Sequence, residues 1–221
     1  NVLLSVDNTF MSPYGQRPLE LGASITMQSS TKSLSGHSDI LGGVLATNDE
    51  ELYEKLQFML KATGGVPSPF DNWITLRSTK TLALRYQRAS DNAFELAKWL
   101  SDNQNVSKTI YPGLDSHPQH EIARKQQLSP KGDNVFGSML SIDLGDVESR
   151  DNFLRKIQIF QLAESLGSVE SLVCIPFFMT HAAVPEETKL EMGITESLVR
   201  LSIGIEDAED LKSDLSIALE K

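Results

Sequence analysis

Gln28-Ser29-Ser30-Thr31-Lys32-Ser33-Leu34-Ser35-Gly36-His37-Ser38-Asp39-Ile40-Leu41-Gly42 sets one lysine after three hydroxyl residues and ahead of two turn-forming glycines. Residues 24–28 alternate in polarity and predict a strand that delivers Lys32 to the loop beyond its carboxyl end. Upstream, residues 1–6 form a short, nearly continuous apolar run, which predicts a buried strand of a parallel sheet with Asp7 just past its end. Residues 19–23 close a short helix stopped by Gly22, and residues 42–47 read as a third strand. Ligands bind at the carboxyl edge of strands in open parallel sheets. Asp7 and Lys32 both arrive on that edge, so the stretch predicts an α/β fold with a site on one rim.

Lysines are most often solvated surface charges, and that is one reading of Lys32. The other is covalent catalysis, because an amine with a lowered pKa bonds carbonyl carbon. The hydroxyls of Ser29 and Thr31 are suited to an anion such as phosphate. A strand-end acid and a hydroxyl-flanked lysine together suggest pyridoxal phosphate (PLP), with Asp7 on the pyridinium nitrogen and Lys32 on the aldehyde.

The 221 residues suffice for one large domain or two small ones, with 40% hydrophobic and 23% charged residues, near globular averages. A formal net charge of −10 argues against nucleic acid or an anionic membrane as partner. No apolar run approaches the about 18 residues of a membrane span, and residues 1–6 lack the basic region of a signal peptide. A single cysteine, Cys174, allows no internal disulfide and fits a cytoplasmic setting. An α/β chain that opens on its most buried strand is expected to be the carboxy-terminal part of something longer.

Further along, Thr47 or Asn48 caps a helix through residue 62, with Leu52, Leu56, Met59 and Leu60 on one face. After a Gly/Pro-rich break, residues 71–102 read as one long linking helix with a possible kink near Ser78. Residues 106–111, 136–143 and 198–204 read as strands. Residues 117–127, 147–156 and 208–219 read as helices, the last capped by Glu206 and Asp207. This half is expected to be helices on an antiparallel sheet. The division is then 1–70, end of a large domain; 71–102, linking helix; and 103–221, a smaller α/β domain.

Several segments occur together and in order across essentially the whole chain: Val6-Asp7-Asn8-Thr9-Phe10, Ser29-Ser30-Thr31-Lys32 with Gly36-His37-Ser38-Asp39, and Pro67-Ser68-Pro69-Phe70-Asp71. They continue with Tyr111-Pro112-Gly113-Leu114, Ala163-Glu164-Ser165-Leu166-Gly167, Met179-Thr180-His181, and Leu198-Val199-Arg200-Leu201-Ser202 with Gly204-Ile205-Glu206-Asp207. The chain thereby resembles the carboxy-terminal portion of the PLP-dependent trans-sulfuration enzymes of cysteine and methionine metabolism. The resemblance implies the type I (aspartate-aminotransferase-like) fold: the end of the large PLP-binding domain plus the smaller α/β domain.

It also implies roles. Lys32 is the lysine bonded to the cofactor and the proton carrier. Asp7 faces the ring nitrogen, and Ser29 and Thr31 face the phosphate. Arg200 and Ser165 bind the substrate α-carboxylate. Glu164 resembles a specificity switch, its glutamate typical of enzymes that act at the γ-carbon of cystathionine. The implied reaction is γ-cleavage of L-cystathionine to cysteine, 2-oxobutanoate and ammonia, most like a γ-lyase. A γ-synthase, a β-lyase, and a non-catalytic scaffold that keeps the fold are the alternatives. An amino-acid substrate and a homotetramer with shared active sites follow from the same resemblance. Three positions depart from the family pattern: Ser33 for the usual aromatic residue, and Ser78 and Ser168 for usual glycines. The family's ring-stacking tyrosine, phosphate cradle and neighbour-donated tyrosine–arginine pair have no candidate in these residues. His37 reads as a loop-bracing residue and Cys174 as core. The pairs His117/His120 and Asp143/Asp146 lack convergent ligands for a metal.

Overall fold

The computed structural model describes residues 2–220 and contains two sheets. In the first, β1 (Ser5–Asp7) runs parallel to β2 (Ile25–Ser29), and β2 runs antiparallel to β3 (Gly43–Ala46). A short helix α1 (Ser12–Gly15) and a 3-10 turn (Pro18–Leu21), stopped by Gly22 at φ 99°, join the first two strands. The sheet is thus mixed, not the parallel one expected. The register sets Asp7 opposite Met27 and Ser29 opposite Gly43.

The buried first strand is a correction. Asn1 lies outside the described residues, and Val2, Leu3 and Leu4 are exposed. β1 has a single neighbour in its sheet, and among the described residues no layer covers the apolar side chains that precede it. The same holds for α2 (Glu50–Thr63), none of whose residues is buried. Its cap is neither Thr47 nor Asn48. Asp49 accepts from the Leu52 N–H, while Thr47 Oγ1 accepts from the Asp49 N–H and donates to the Ser24 carbonyl.

The long helix is two: α3 (Pro69–Thr79) and α4 (Leu82–Ser101). The break falls where the Ser78 carbonyl accepts from both the N–H and the hydroxyl of Thr81. Those bonds close a tight turn and interrupt the helical ladder.

The second sheet has the order β4 (Lys108–Ile110), β5 (Met139–Asp143), β8 (Leu198–Ser202), β7 (Leu172–Cys174) and β6 (Gln161–Leu162). Its pairs are antiparallel except β6 with β7. The two shortest inner and edge strands, β7 and β6, carry too few residues for alternation to declare them. Helices α5 (His120–Gln126), α6 (Val147–Lys156), α7 (Glu186–Glu191) and α8 (Ala208–Leu219) complete the chain. Asp207 caps α8, but Glu206 does not: its carboxylate accepts from the N–H and hydroxyl of Ser171.

One face of α4 (Ala93, Leu96, Ala97, Leu100) packs on β5 and β8 with Phe153 of α6 and Leu211 and Leu215 of α8. This is the main core, and α4 is therefore tied to the second sheet. No helix among the described residues is long and apolar enough to cross a membrane.

At the end of β5, Asp143 accepts from Thr195 Oγ1 at 2.6 Å, Ser197 Oγ at 2.8 Å and the Gly145 N–H at 2.8 Å. Burial by itself would raise its pKa. The bonds from Thr195, Gly145, Ser197 and Ser107 outweigh burial and hold the carboxyl below its usual range. Its contribution to stability is therefore complete above the unfolded-state carboxyl pKa and lost as pH falls through the lower folded value. Asp143→Asn is expected to cost about 2 kcal/mol at neutral pH and to flatten that acid limb. Urea melts of both proteins between neutral and acid pH provide the check.

Candidate active site

β2 runs directly into a π-helical turn, Ser30–Leu34. Lys32 breaks the helical geometry inside it, with φ −92° and ψ −134°. The turn is closed by the N–H of Ser35 on the Ser30 carbonyl at 3.1 Å and of Gly36 on the Lys32 carbonyl at 2.8 Å. From this kink Lys32 Nζ donates to Ser165 Oγ at 3.1 Å, 133 residues further along the chain. The bond joins the first sheet to the loop between β6 and β7 of the second.

Arg200 lies mid-strand on β8, opposite Ser141 of β5 and Cys174 of β7. Its Nη2 donates to the carbonyls of Glu164, at 2.8 Å, and Ser165, at 3.3 Å. Among the described residues its Nη1 and Nε make no hydrogen bond. Burial, and after it the positive charge of Arg200, holds the Lys32 amine below the ordinary lysine range. Two cations thus face one place with no carboxylate among the described residues bonded to either, an arrangement that favours an incoming anion.

The loop carrying Ser165 is fixed to the lysine turn at close quarters. Gly167 donates its N–H to Ser202 Oγ at 2.8 Å, and Val169 donates to the Gly36 carbonyl at 2.9 Å. Gly167 has φ 74°, and a Cβ there would stand 2.9 Å from the Ser33 nitrogen. A side chain at this position would push the two loops apart.

The remaining sequence-derived residues fall around this junction. Asp7 is the last residue of β1 and is exposed, and its Oδ1 accepts from the Thr9 N–H at 3.0 Å. Thr9 Oγ1 accepts in turn from the Ser29 N–H at 2.9 Å, so Asp7 and Ser29 are linked through Thr9. The hydroxyl of Ser29 makes no hydrogen bond among the described residues. Thr31 Oγ1 accepts from the Gly42 N–H at 3.0 Å and donates to the Gly42 carbonyl at 3.4 Å. Glu164 is exposed, and its carboxylate bonds to no described residue. A cleft of about 750 Å³ extends from Thr31 to Ser165, bordered by Asp39, Asp71 and Gln161.

His37 is exposed, and its Nδ1 sits 2.6 Å from the Ser35 carbonyl, which suits bracing of the loop. Cys174 is buried in β7; burial first, and then the nearby Glu164, push its thiol up despite Arg200. Such a thiol is core and not a nucleophile. No group of three metal-binding side chains occurs among the described residues.

Two further residues belong to this junction: Arg85, which sequence reasoning passed over, and Ser168, read above as a departure from the family pattern. Arg85 on α4 donates to the carbonyls of Ser33 and Leu34. Ser168 donates to the Gly36 carbonyl and lies 3.1 Å from Ser38 Oγ. A signal for Arg85 was present: it stands between Leu82 and Ala89 on the apolar face of α4, where helical spacing predicts a buried aliphatic side chain.

The sequence profile of the family described as Cys/Met metabolism PLP-dependent enzyme matches residues 1–220. A cystathionine gamma-lyase of Dictyostelium discoideum is 53% identical over 218 residues, covering 99% of this chain and 55% of that protein. A cystathionine beta-lyase of Lactococcus lactis subsp. cremoris is 47% identical over 221 residues, covering 100% of this chain and 57% of that one. Among solved structures, a cystathionine gamma synthase from Xanthomonas oryzae pv. oryzae in complex with cystathionine superimposes with a TM-score of 0.93 at 43% identity, over 99% of this chain and 55% of that chain. The chain spans about half the length of the curated relatives it matches. Its fold is the type I fold of PLP-dependent enzymes. With the profile running from residue 1 to 220, the chain belongs to the Cys/Met metabolism PLP-dependent enzymes.

Proposed function

We propose that this chain forms the carboxy-terminal part of a carbon–sulfur lyase that cleaves L-cystathionine, with one water, at the γ-carbon to cysteine, 2-oxobutanoate and ammonia. The observation that carries the reading is the bond from Lys32 Nζ to Ser165 Oγ, with Arg200 behind it. It unites a lysine amine, a hydroxyl and a guanidinium from two sheets in one place.

These residues fit PLP. Lys32 would hold the aldehyde, since burial and Arg200 both favour its neutral amine. Ser29 would hold the phosphate through its unengaged hydroxyl. Thr31 would join it, because its proton is committed only to the long 3.4 Å contact with Gly42. Asp7 at the strand end would face the ring nitrogen. Bound there, the group supplies an electron sink for the pair left on the substrate α-carbon. Arg200 receives the substrate carboxylate on its Nη1 and Nε, with Ser165 beside it. Lys32 Nζ takes the proton from the α-carbon and then serves to remove one from the β-carbon, so that the electron pair beside the γ-carbon can expel sulfur, to which a proton is returned. Glu164, exposed and next in sequence to Ser165, receives the distal ammonium of cystathionine.

A γ-synthase or β-lyase is the second reading, favoured by relatives of both kinds at 43 and 47% identity. In either case we place the enzyme in the cytoplasm as a homotetramer with shared sites. Residues 1–70 end its large domain, 71–102 link the domains, and 103–221 form the small one.

Incubating the complete natural protein with PLP and cystathionine should release 2-oxobutanoate. Pyruvate instead would establish β-cleavage, and neither product would overturn the lyase reading. Glu164→Val or Glu164→Tyr should lower the 2-oxobutanoate yield relative to pyruvate at least tenfold. An unchanged ratio would remove Glu164 from specificity. Arg200→Met should lower kcat/KM about 100-fold, the roughly 3 kcal/mol of a charge-assisted two-point contact. It should also raise the Lys32 pKa part of the way to the ordinary lysine value, because the arginine's charge is lost while burial remains. The pH dependence of reductive methylation at Lys32 measures this second effect.

A further inference from the structure

Arg85 is 9% exposed, and its guanidinium is engaged on both sides of its fork. Nη1 donates to the Ser33 carbonyl at 2.8 Å. Nη2 donates to the Leu34 carbonyl at 3.1 Å and to the Ser78 carbonyl at 3.0 Å. Nε donates to Thr81 Oγ1 at 3.1 Å. All four bonds run to neutral acceptors and none to a carboxylate. A buried cation held only by carbonyls and a hydroxyl is costly for stability alone, which points to a task for it. The acceptors come from the lysine turn and from the α3–α4 break, so the guanidinium joins the two.

The surroundings are shaped to this group. Gly36 has φ 74°, and a Cβ there would lie 2.0 Å from Arg85 Nη1. Two of the three positions that depart from the family pattern border it through their main chain. Ser33 and Ser78 contribute two of the main-chain carbonyls, and Ser168 bonds to the carbonyl of the neighbouring Gly36. Ser168 is also hydrogen-bonded to Glu170.

We propose that Arg85 is the positioning residue of the lysine turn: its fork pins the Ser33 and Leu34 carbonyls to the α3–α4 junction and so fixes where Lys32 presents its amine. The fork geometry is essential. A lysine ammonium is a point charge and cannot span two successive carbonyls, the Ser78 carbonyl and a hydroxyl together. The functional side of this inference rests on the reading of Lys32 as the cofactor lysine.

The test uses the complete natural protein and its Arg85→Lys, Arg85→Ala, Thr81→Val and Arg88→Lys variants. One readout is hydrogen exchange of residues 30–36. The other is the rate at which PLP is captured on Lys32 and fixed by borohydride, followed by peptide mass. Arg88 is an exposed residue of the same helix, and its variant should behave as wild type. Both Arg85 variants should still melt cooperatively, exchange residues 30–36 at least tenfold faster with residues 198–202 unchanged, and capture PLP at least tenfold more slowly. Thr81→Val loses the Nε bond together with the hydroxyl's bond to the Ser78 carbonyl, leaves the bonds to Ser33 and Leu34 in place, and should show about a threefold effect, which keeps the inference testable should the Arg85 variants fail to fold. Guanidinium ion at millimolar concentration should restore capture in Arg85→Ala and not in Arg85→Lys. Wild-type exchange or wild-type capture in the folded variants would overturn the proposal. Should wild-type Lys32 itself fail to capture PLP, the cofactor reading falls, while the exchange data still decide the role of Arg85.

Discussion

The hydrogen bond from Lys32 Nζ to Ser165 Oγ is where the two halves of the chain meet chemically. Lysine and serine come from different sheets, so each must be delivered to within bonding distance by its own scaffold. β2 and its π-helical turn deliver the lysine. The loop between β6 and β7, backed by Arg200 on β8, delivers the serine. The β5–β8–β7 pairing, buried beneath α4, α6 and α8, gives Arg200 a rigid base. A site assembled on strands is held more tightly than one built on loops alone.

The junction is also an electrostatic arrangement. Lys32 and Arg200 repel each other, and partial burial strips water from the amine. Both effects favour the neutral amine, the form a base or nucleophile needs. An arriving carboxylate would relieve the repulsion, so substrate binding and the protonation of Lys32 are coupled. Arg85 carries a third positive charge close to the turn, this one buried and bonded only to neutral acceptors. Its burial lowers its own pKa from the usual arginine value, yet an arginine remains charged in proteins.

Legibility in the sequence followed the strength of local signals. Helices α6 and α8 were readable to the residue, and for α8 the sequence also offered its cap, Asp207. The strands β5 and β8 were readable from alternation. β6 and β7 were not, being two and three residues long. The break at residues 80–81 depends on how the Ser78 carbonyl is shared, which no propensity reports. The apolar run at residues 2–4 was read as buried, yet burial depends on a covering layer and not on composition. Of the site, the chemical types at Asp7, Ser29, Thr31 and Lys32 were visible locally. Glu164, Ser165 and Arg200 came only from resemblance, since no spacing in the chain announces a contact 133 residues apart. Arg85 was visible as an arginine on an apolar face, and its meaning needed the turn it holds.

The central claim is that one site binds PLP on Lys32 with the substrate carboxylate on Arg200. A crystallographic density map of the complete natural protein, grown with PLP and an unreactive amino-acid analogue, tests it most directly. The account predicts density continuous from Lys32 Nζ to the cofactor in unliganded crystals. With the analogue bound, it predicts a carboxylate within about 2.7–3.2 Å of Arg200 nitrogens, with Lys32 beside its α-carbon. Cofactor density on another lysine, or an analogue carboxylate seated away from Arg200, would contradict it.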